Sequence, residues 1–485
     1  MQYGFVKTAA LTPSIRVADC AYNARQIIEV LRGAAAAGAE IACLPELCIT
    51  GYTCGDLFSQ PVLQQGARDA LADVLRDTAG LPLLFVLGLP LTHGGKLYNC
   101  AAVCQNGRVL GVVPKTHLPN YNEFYEKRQF TPAPAENGVI DLSGAQVPFG
   151  TNLLFQCGTQ PALTLAVEIC EDLWAPLPPS TRHAMAGATL ICNLSASDET
   201  IGKAEYRRAL VTGQSARLLC GYVYADAGEG ESTTDMVFAG HNMVAENGAL
   251  LAETAPFCGG MALTDIDVER LAGERLKNTS FPAEDSANYE VIPFVLPQNV
   301  SPLTRIVSSA PFVPADAEQR ARRCDAILAM QASGLKKRLE HTHAKTAVVG
   351  ISGGLDSCLA LLVTVRAFSL LERPLSDIVA VTMPCFGTTE RTRTNAQRLC
   401  ETLGVTLQHV DITQTVRSNF ADIGQDEARH DVTYENTQAR VRTLVLMNLA
   451  NRLGGLVIGT GDLSELALGW ATYNGDHMSM YGVNA

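Results

Sequence analysis

The chain has 485 residues, of which 47% are hydrophobic and 18% are charged. This length and composition exclude fibrous and intrinsically disordered proteins, and they predict about three domains or two large ones. The net charge of −12 comes from 37 basic and 49 acidic residues. Because general nucleic-acid binding needs a cationic face, we expect no nucleic-acid partner.

Neither a membrane span nor a secretion signal is predicted. The longest apolar run, LPLLFVLGLPL at 81–91, is too short to cross a bilayer, and the N-terminal segment lacks a basic stretch before an apolar core. The 15 cysteines are odd in number and lie in apolar contexts, as expected of reduced thiols. Cys100 and Cys104 approach metal-ligand spacing, but no second pair or His cluster accompanies them. These features predict a cytoplasmic protein without a membrane partner.

The first half of the chain alternates short apolar segments with turn signals. Apolar residues from Ala21 to Ala35 recur at helical spacing, and other segments predict strands. Strands and helices that alternate over about 260 residues predict a layered α/β domain in which helices cover a sheet sandwich. The strand segments are FVKTAAL, AEIACLPE, LPLLFVLGLP, YNCAAVC, RVLGVVPK, ALTLAVEICEDLW, ATLICNLSAS and GYVYADA.

The composition changes near Leu276, where Ser, Pro and Asn become frequent and periodicity is lost. We therefore predict a linker at 271–312, between a first domain at 1–270 and a second at 313–485. A helix is predicted from Ala315 to Leu339. The apolar segments TAVVGI, DIVAVTMP, TLQHVDI and GGLVIGTGD then alternate with helical stretches. Such units form a parallel, doubly wound sheet that binds ligands at the carboxyl ends of its strands.

Glu46, Lys115 and Cys170 each close an apolar, strand-like segment. A cysteine attacks carbonyl carbon as the thiolate, so it needs a base and a positive charge that stabilises the oxyanion. Glu46 and Lys115 supply these two groups. The acidic residues around Cys170 would raise the pKa of its thiol unless a cation such as Lys115 compensates. Each residue alone has a structural explanation, so the hypothesis depends on their combination.

The segments around these residues resemble the nitrilase superfamily, whose amidases use a Glu–Lys–Cys triad in this chain order. The matching phrases are PELCITGY, PKTHLPNYNEFYEKRQF and EICEDLW. The resemblance implies an αββα sandwich in which Glu46, Lys115 and Cys170 are catalytic. It also implies that Glu126 is the second carboxylate of the site. Amide-substrate contacts are implied for Tyr52, Tyr121, Glu171 and Ser197.

The segment GISGGLDS at 350–357 follows a predicted strand and opens a predicted helix. Its glycines allow backbone N–H groups to surround phosphate oxygens, and a helix N-terminus favours an anion. Asp356 could hold the Mg²⁺ that accompanies nucleotide phosphates, and Glu465 could join it. Arg440 and Arg442 could bind phosphate or carboxylate. No Lys follows the glycines, so the segment is not a Walker A loop.

SGGLDS resembles the loop of ATP pyrophosphatases, which cleave ATP between the α and β phosphates and adenylate a substrate. The segments MPCFGTTERTRTNA, ENTQARVR and GDLSELALGWATYNGDHMSMYGVNA are similar to those of glutamine-dependent NAD⁺ synthetases. The implied ATP-binding residues are Gly350, Ser352, Gly353, Gly354, Asp356, Ser357, Met383 and Thr460. The implied dinucleotide-binding residues are Asn436, Gln438, Arg440, Arg442, Trp470, Tyr473 and Asp476. The implied metal ligands are Asp356 and Glu465.

The two resemblances together cover essentially the whole chain and imply a single function. The first domain would release ammonia from glutamine, and the second would use ATP and Mg²⁺ to amidate nicotinic acid adenine dinucleotide. The expected partners are these small molecules and further copies of the chain in a homo-oligomer. In the family the synthetase half continues beyond the region matching YGVNA, so we expect a second domain that is incomplete at its C-terminus.

Two alternatives remain open from the sequence. One is another amidotransferase with the same ATP chemistry, although such enzymes carry different glutaminase halves. The other is an active glutamine amidase whose shortened C-terminal half only binds nucleotide. Binding of ATP and the dinucleotide without turnover would distinguish this second alternative from a ligase.

Overall fold

The computed structural model describes residues 4–297, 302–386, 390–475 and 477–485. The chain divides into two units, Met1–Val307 and Ser308–Ala485. Within these described ranges, no helix combines the length and the apolar character that crossing a membrane requires.

The first unit contains all the strands predicted for the first half of the chain. Its strands are β1 (Phe5–Thr12), β2 (Ile41–Cys43), β3 (Leu84–His93), β4 (Lys96–Gln105), β5 (Arg108–Pro114), β6 (Gly138–Leu142), β7 (Ala145–Phe149), β8 (Leu153–Cys157), β9 (Thr164–Ile169), β10 (Leu190–Ser195), β11 (Gly221–Asp226), β12 (Met243–Glu246), β13 (Ala249–Glu253), β14 (Gly260–Asp267) and β15 (Glu290–Phe294). Its helices are α1 (Cys20–Ala36), α2 (Pro61–Thr78), α3 (Glu126–Gln129), α4 (Glu171–Trp174), α5 (Pro179–Met185), α6 (Lys203–Leu218) and α7 (Val268–Lys277), with a 3₁₀ helix at Tyr52–Ser59.

These strands form two sheets that pack face to face. The first has the order β14-β1-β2-β3-β4-β5-β7-β6, and the second has the order β13-β12-β11-β10-β9-β8-β15. One core cluster joins side chains of both sheets, such as Val86 and Val167. A second packs α1 and α2 against the first sheet, and a third packs α5 and α6 against the second sheet. The predicted αββα sandwich is therefore confirmed.

Helix α1 shows why the sequence pattern was informative. Ala24, Ile27 and Leu31 are buried and follow the apolar stripe of the sequence. Asp19 caps the helix, because its side chain accepts a hydrogen bond from the backbone N–H of Tyr22. The stripe and the cap together determine both the position of the helix and the face that covers the first sheet.

Part of the segment predicted as a linker forms regular structure instead. Helix α7 continues to Lys277, and strand β15 pairs in parallel with β8. Pro293 lies within β15, which is an edge strand, and an edge tolerates the missing backbone donor of proline. The strand was missed because its short alternation lies among turn-forming residues that mask it.

The second unit is a parallel sheet with helices on both faces. Its strands are β16 (Ala347–Gly350), β17 (Ile378–Thr382), β18 (Thr406–His409), β19 (Leu456–Gly459) and β20 (Tyr481–Gly482), in the order β18-β17-β16-β19-β20. Its helices are α8 (Ala317–Thr342), α9 (Leu355–Leu370), α10 (Glu390–Leu403), α11 (Thr413–Ile423), α12 (Val432–Leu453) and α13 (Leu463–Leu468), with a 3₁₀ turn at Leu375–Asp377.

Two core clusters lie on opposite faces of this sheet. Residues of α8, α9 and α10 pack on one face, and residues of α12 such as Leu446 and Ala450 pack on the other. All four strand pairings are parallel. The predicted doubly wound sheet is therefore confirmed, and the carboxyl ends of its strands share one edge.

Candidate active sites

The first site is built around a buried lysine between two buried carboxylates. The Nζ atom of Lys115 lies 2.6 Å from Oε1 of Glu46 and 2.6 Å from Oε1 of Glu126. Lys115 directly follows β5, Glu46 lies beyond the end of β2, and Glu126 begins α3. Strand ends and a short helix thus bring together residues that are far apart in the sequence.

Both carboxylate oxygens of Glu46 are hydrogen-bonded. The side-chain amide of Asn99 donates to Oε1 at 2.6 Å, and the backbone N–H of Ala196 donates to Oε2 at 3.1 Å. These bonds fix the orientation that a general base needs. Asn99 was not among the predicted site residues, and its only local signal is that it is a polar residue inside the apolar segment YNCAAVC.

Glu126 combines a cation contact with a free acceptor. Its Oε1 accepts from Lys115 and, at 2.8 Å, from the hydroxyl of Tyr52, whereas Oε2 has no partner among the described residues. Burial raises the pKa of Glu126 to about 7, against the opposing effect of Lys115. Tyr52 and Glu126 line a cavity of about 300 Å³ together with the aromatic residues Phe124 and Tyr125.

Cys170 occupies a strained turn between β9 and α4. Its φ of 44° and ψ of −99° place it at positive φ, a costly region for a non-glycine residue. Its backbone N–H donates to the carbonyl of Leu194 at 2.9 Å and to Oδ1 of Asn193 at 3.2 Å. Such strain is often found at catalytic nucleophiles, where it presents the side chain at a strand end.

The charges of the site act on the thiol of Cys170. Burial raises the pKa of this thiol well above its ordinary value, and the Glu46 carboxylate adds to the rise. Lys115 and the backbone N–H of Ala196 oppose it without cancelling it. The resting thiol is therefore protonated, and nucleophilic attack requires a base.

The remaining residues predicted to contact the substrate are found in different environments. Tyr121 is 51% exposed, and its hydroxyl donates to Oε1 of Glu171 at 2.9 Å. Ser197 is buried, its hydroxyl accepts from Arg207 at 3.3 Å, and its N–H donates to Asp226 at 2.9 Å. Tyr121 and Glu171 are therefore paired next to Cys170, whereas Ser197 belongs to a buried network with Arg207.

Asp172 joins two parts of the site, a role that the sequence analysis did not identify. Its Oδ1 accepts from the N–H of His117 at 2.8 Å, and its Oδ2 accepts from the N–H of Ile169 at 3.0 Å. Burial raises the pKa of Asp172 to about 8. The side chain ties the segment after Lys115 to the strand end before Cys170.

Replacing Glu126 with glutamine is expected to change how the stability of the first unit depends on pH. The folded state raises the pKa of Glu126 from 4.5 to about 7, so the stabilisation from its protonated form is present below pH 4.5 and is lost as pH rises through 7. The free energy of unfolding of the natural chain should therefore fall relative to Glu126→Gln across this range. Urea unfolding at several pH values measures the difference.

The chain has two tryptophans, Trp174 in the first unit and Trp470 in the second. All unfolding curves are therefore recorded in a Trp470→Phe background, in which tryptophan fluorescence reports on the first unit alone. The matched control is Glu136→Gln, which changes an exposed carboxyl of the same unit. The free energy of unfolding of Glu136→Gln should depend on pH as that of the natural chain does. The same pH dependence for Glu126→Gln would contradict a buried Glu126 carboxyl that is protonated in the folded state.

The second site is a cavity of about 410 Å³ at the carboxyl ends of β16, β17 and β19. Arg442 also lines it, although the sequence analysis assigned this residue to the dinucleotide. Gly353 and Asp356 of the predicted ATP set do not line the cavity. The members of that set that do line it are Gly350, Ser352, Gly354, Ser357, Met383 and Thr460.

The loop before α9 has the geometry of an anion cradle. Gly353 has a φ of 87°, which glycine adopts without strain. The hydroxyl of Ser357 donates to the carbonyl of Gly354 at 3.0 Å, and this bond folds the loop back on the first turn of α9. Backbone N–H groups at the start of a helix of this length favour a phosphate.

Asn484 connects the first turn of α9 to the residue that follows β19. Its side-chain amide donates to the carbonyls of Asp356 and Thr460, at 2.9 Å in each case. Asn484 was not among the predicted site residues, and no local pattern marks it. Its role follows from the position of β20 beside β19 in the sheet.

Two of the predicted dinucleotide-binding residues tie α12 to the segment after α13. Asn436 accepts from the hydroxyl of Thr472 at 2.9 Å, and Nε of Arg440 donates to the carbonyl of Tyr473 at 3.1 Å. Trp470 and Tyr473 are both largely exposed. A connected surface is therefore formed by Asn436, Arg440, Trp470 and Tyr473.

Of the three remaining members of the dinucleotide set, Arg442 lines the cavity and Gln438 is not part of this surface. Gln438 is buried, and its side-chain amide donates at 3.1 Å to the carbonyl of Tyr434, one turn earlier in α12. A buried amide that is satisfied within its own helix has one donor fewer for a ligand. Asp476 lies outside the described residues.

Glu465 has a structural role besides the predicted metal contact. Its Oε2 accepts from the N–H of Asp462, and Asp462 accepts from the N–H of Glu465, which forms a capping box at α13. In the described parts of the chain, no cluster of three or more His, Cys, Asp or Glu residues could hold a metal ion. Asp356, in the first turn of α9, and Glu465, with one oxygen outside the capping box, both carry carboxylate oxygens, the hard donors that suit Mg²⁺ bound mainly through phosphates and water.

Comparisons with known proteins cover both units. Residues 7–275 match the family model for carbon-nitrogen hydrolase, and residues 327–481 match the model for NAD synthase. The glutamine-dependent NAD(+) synthetase of Mycobacterium tuberculosis is 46% identical over 100% of this chain and 74% of its own length. This chain belongs to the glutamine-dependent NAD(+) synthetase family.

Other members of this family are also similar to the chain. The enzyme of Mycobacterium leprae is 44% identical over 99% of this chain and 73% of its own length. A solved glutamine-dependent NAD+ synthetase from Acinetobacter baumannii, in complex with ADP, is 26% identical over 99% of this chain and 79% of that chain, with a TM-score of 0.47.

Membership of the glutamine-dependent NAD(+) synthetase family decides between the functions left open by the sequence. The carbon-nitrogen hydrolase half confirms the glutaminase type, and the NAD synthase half confirms the ligase. A different amidotransferase and a half that only binds nucleotide are not favoured, since both halves match one family over the whole chain.

Proposed function

We propose that the chain hydrolyses glutamine with Cys170 as nucleophile, Glu46 as base and Lys115 as the cation that stabilises the oxyanion. The observation that carries this proposal is the position of the Lys115 Nζ atom, 2.6 Å from the carboxylates of both Glu46 and Glu126. The charges of these three side chains act on the thiol of Cys170. We assign this activity to a first domain at 1–270 and the ligase activity to a second domain at 313–485, with a linker at 271–312 that contributes β15 to the first unit.

The hydrolysis begins with a protonated thiol. Glu46 accepts the proton of Cys170 while the sulfur attacks the amide carbon of glutamine, and Lys115 stabilises the negative charge on the oxygen. Glu46 then passes the proton to the leaving nitrogen, and ammonia departs from a thioester. Water attacks the thioester as Glu46 takes its proton, glutamate leaves, and the thiol is restored.

The substrate contacts are proposed from the polar groups around this centre. Glu126 has an acceptor oxygen without a partner among the described residues, and the Tyr121–Glu171 pair lies beside Cys170. Ser197 accepts from Arg207 and so keeps its own hydroxyl hydrogen for a ligand. We therefore assign glutamine binding to Tyr52, Tyr121, Glu126, Glu171 and Ser197.

The second domain is proposed to activate the carboxylate of nicotinic acid adenine dinucleotide. A carboxylate oxygen attacks the α-phosphorus of ATP and pyrophosphate leaves, after which ammonia attacks the acyl carbon and AMP leaves. When bound to Asp356 and Glu465, Mg²⁺ would neutralise phosphate charge. The proposed ATP-binding residues are Gly350, Ser352, Gly353, Gly354, Asp356, Ser357, Met383 and Thr460.

The dinucleotide is assigned to the connected surface beside this cavity. Arg442 lines the cavity, and an arginine side chain there can bind phosphate or carboxylate. Asn436, Gln438, Arg440, Trp470, Tyr473 and Asp476 complete the proposed set. We also propose, from the family resemblance, a homo-oligomer that acts in the cytoplasm.

Transfer of labelled nitrogen tests this function. The chain is incubated with glutamine labelled at its amide nitrogen, ATP, Mg²⁺ and the dinucleotide, and the label should appear in the amide of NAD⁺. Arg442→Ala should reduce this transfer about tenfold to 100-fold, because a hydrogen bond to a charged group contributes about 1.5–3 kcal/mol. Ammonia release from glutamine should be unchanged, since Arg442 belongs to the second unit.

The matched control is Arg452→Ala, which removes an exposed arginine from the last turn of the same helix. This variant should retain both label transfer and ammonia release. Ammonia release without any labelled NAD⁺ from the natural chain would refute the ligase function. Normal transfer by Arg442→Ala would refute only the role of that residue.

A further inference from the structure

Fully buried polar residues lie on the face of the second sheet that α5 and α6 cover. Glu168 on β9, Asn193 on β10 and Tyr222 on β11 are each at most 1% exposed. Their neighbours on this face, such as Ala166 and Ile191, are apolar. Burying polar groups is costly unless each finds hydrogen-bond partners, so their presence calls for a specific arrangement.

These side chains form a continuous chain of hydrogen bonds across three strands. The hydroxyl of Tyr222 donates to Oε1 of Glu168, and Oε2 of Glu168 accepts from the N–H of Ser180 at 2.7 Å. The Nδ2 atom of Asn193 donates to the oxygen of Tyr222 at 3.1 Å. Because adjacent strands hold the three residues, their spacing is set by the sheet itself.

The chain of bonds ends on the backbone of Cys170. The Oδ1 atom of Asn193 accepts from the N–H of Cys170 at 3.2 Å and from the hydroxyl of Ser195 at 2.9 Å. Cys170 is the residue with the strained φ of 44° and ψ of −99°. Strain of this kind persists only where surrounding interactions hold the residue in place.

The direction of each bond determines how the amide of Asn193 is oriented. Tyr222 uses its hydrogen on Glu168, so its oxygen must accept from the Nδ2 atom of Asn193. The Oδ1 atom is then directed at the N–H of Cys170. If the Asn193 amide were rotated by about 180°, its NH₂ group would face the N–H of Cys170, and two donors would oppose each other. The hydrogen bonds of Tyr222 and Glu168 therefore select the orientation in which Oδ1 accepts from Cys170.

We propose that Asn193, held by Tyr222 and Glu168, is a positioning residue that fixes the backbone of Cys170 in its strained conformation. The inference rests on the proposed role of Cys170 as the nucleophile. Asn193 touches the backbone of the nucleophile and not the reacting atoms, so its loss should slow the chemical steps while leaving glutamine binding in place.

The variants Asn193→Ala, Tyr222→Phe and their combination test this inference in the full chain. Asn193→Ala should lower kcat for ammonia release about 100-fold with KM within about twofold, since misplacing a reacting group by about 1 Å can cost that much. Tyr222→Phe should lower kcat about tenfold. The double variant should be no slower than Asn193→Ala, because both changes act through one amide and are not additive.

A second readout follows Cys170 itself. The rate at which iodoacetamide modifies Cys170, measured by peptide mass spectrometry over a range of pH, should shift in Asn193→Ala and Tyr222→Phe. The matched control is Tyr22→Phe, which removes a tyrosine hydroxyl from α1, a helix that covers the first sheet and does not contact this network. It should keep kcat within about twofold and leave the modification profile unchanged.

The outcomes separate the inference from the proposed function. An unchanged kcat in Tyr222→Phe, a rise in KM alone, or losses that multiply in the double variant would each overturn the positioning role. Tyr222→Phe removes a single oxygen, so it decides the question even if Asn193→Ala fails to fold. Ammonia release by Cys170→Ala would instead overturn the proposed nucleophile.

Discussion

Replacing Cys170 with alanine should abolish ammonia release from glutamine, with a loss of about 10⁴-fold to 10⁶-fold in kcat. The thiol is the only protein group in the proposed mechanism that forms a bond to the substrate carbon. Glu46 and Lys115 cannot replace it, because both are held in a buried ion pair. Enzymatic detection of ammonia measures this loss.

Two comparisons make the Cys170→Ala result specific. Amidation supported by added ammonium chloride should continue at the rate of the natural chain, since the nucleotide cavity belongs to the second unit. Cys220→Ala removes another fully buried thiol of the first unit and should retain ammonia release. Hydrolysis by Cys170→Ala at more than a small fraction of the natural rate would exclude the thioester mechanism.

Replacing Lys115 with methionine should destabilise the first unit and stop its chemistry. Removing one partner of a buried ion pair costs about 3–5 kcal/mol, and here two buried carboxylates, Glu46 and Glu126, lose their shared cation. Loss of the donor that stabilises the oxyanion should lower kcat by a further factor of about 10²–10³. Urea unfolding followed on Trp174 and ammonia release measure the two effects.

The destabilisation by Lys115→Met should depend on pH. Burial raises the pKa of Glu126 to about 7, and removing the cation that opposes this rise favours the protonated form further. The cost of the substitution should therefore be smaller at acidic pH, where this carboxyl is neutral, and larger above neutrality. The control Lys277→Met removes an exposed surface pair and should cost at most about 1 kcal/mol. A loss of unfolding free energy in Lys115→Met as small as that in Lys277→Met would contradict the buried ion pairs of Lys115 with Glu46 and Glu126.

The elements with a strong local pattern were predictable from the sequence. Helix α1 has an apolar stripe and a capping Asp19, and β3 and β16 are continuous apolar segments. Strands β6, β7, β8, β12, β13 and β14 were not predicted. Strand β15 and the two-residue β20 were also missed, because each depends on pairing with a distant strand and carries little local signal. Local periodicity therefore predicts the elements that bury their own apolar face, and fails for those completed by neighbours.

The same distinction applies to the sites. Glu46, Lys115 and Cys170 stood out because each ends an apolar segment, and strand ends are where sheets present functional groups. Asn99, Asn193 and Tyr222 did not stand out, because their roles depend on the register between strands. Asn484 depends in the same way on the pairing of β20 with β19.

The central claim is that Cys170 forms a covalent bond with the substrate carbon skeleton. A diazoketone analogue of glutamine alkylates a nucleophile that attacks at this position, and peptide mass spectrometry identifies the modified residue. We expect one adduct per chain, on Cys170, that accumulates in step with the loss of ammonia release and is absent from Cys170→Ala. Inactivation with the adduct on any other residue, or with Cys170 unmodified, would contradict the account.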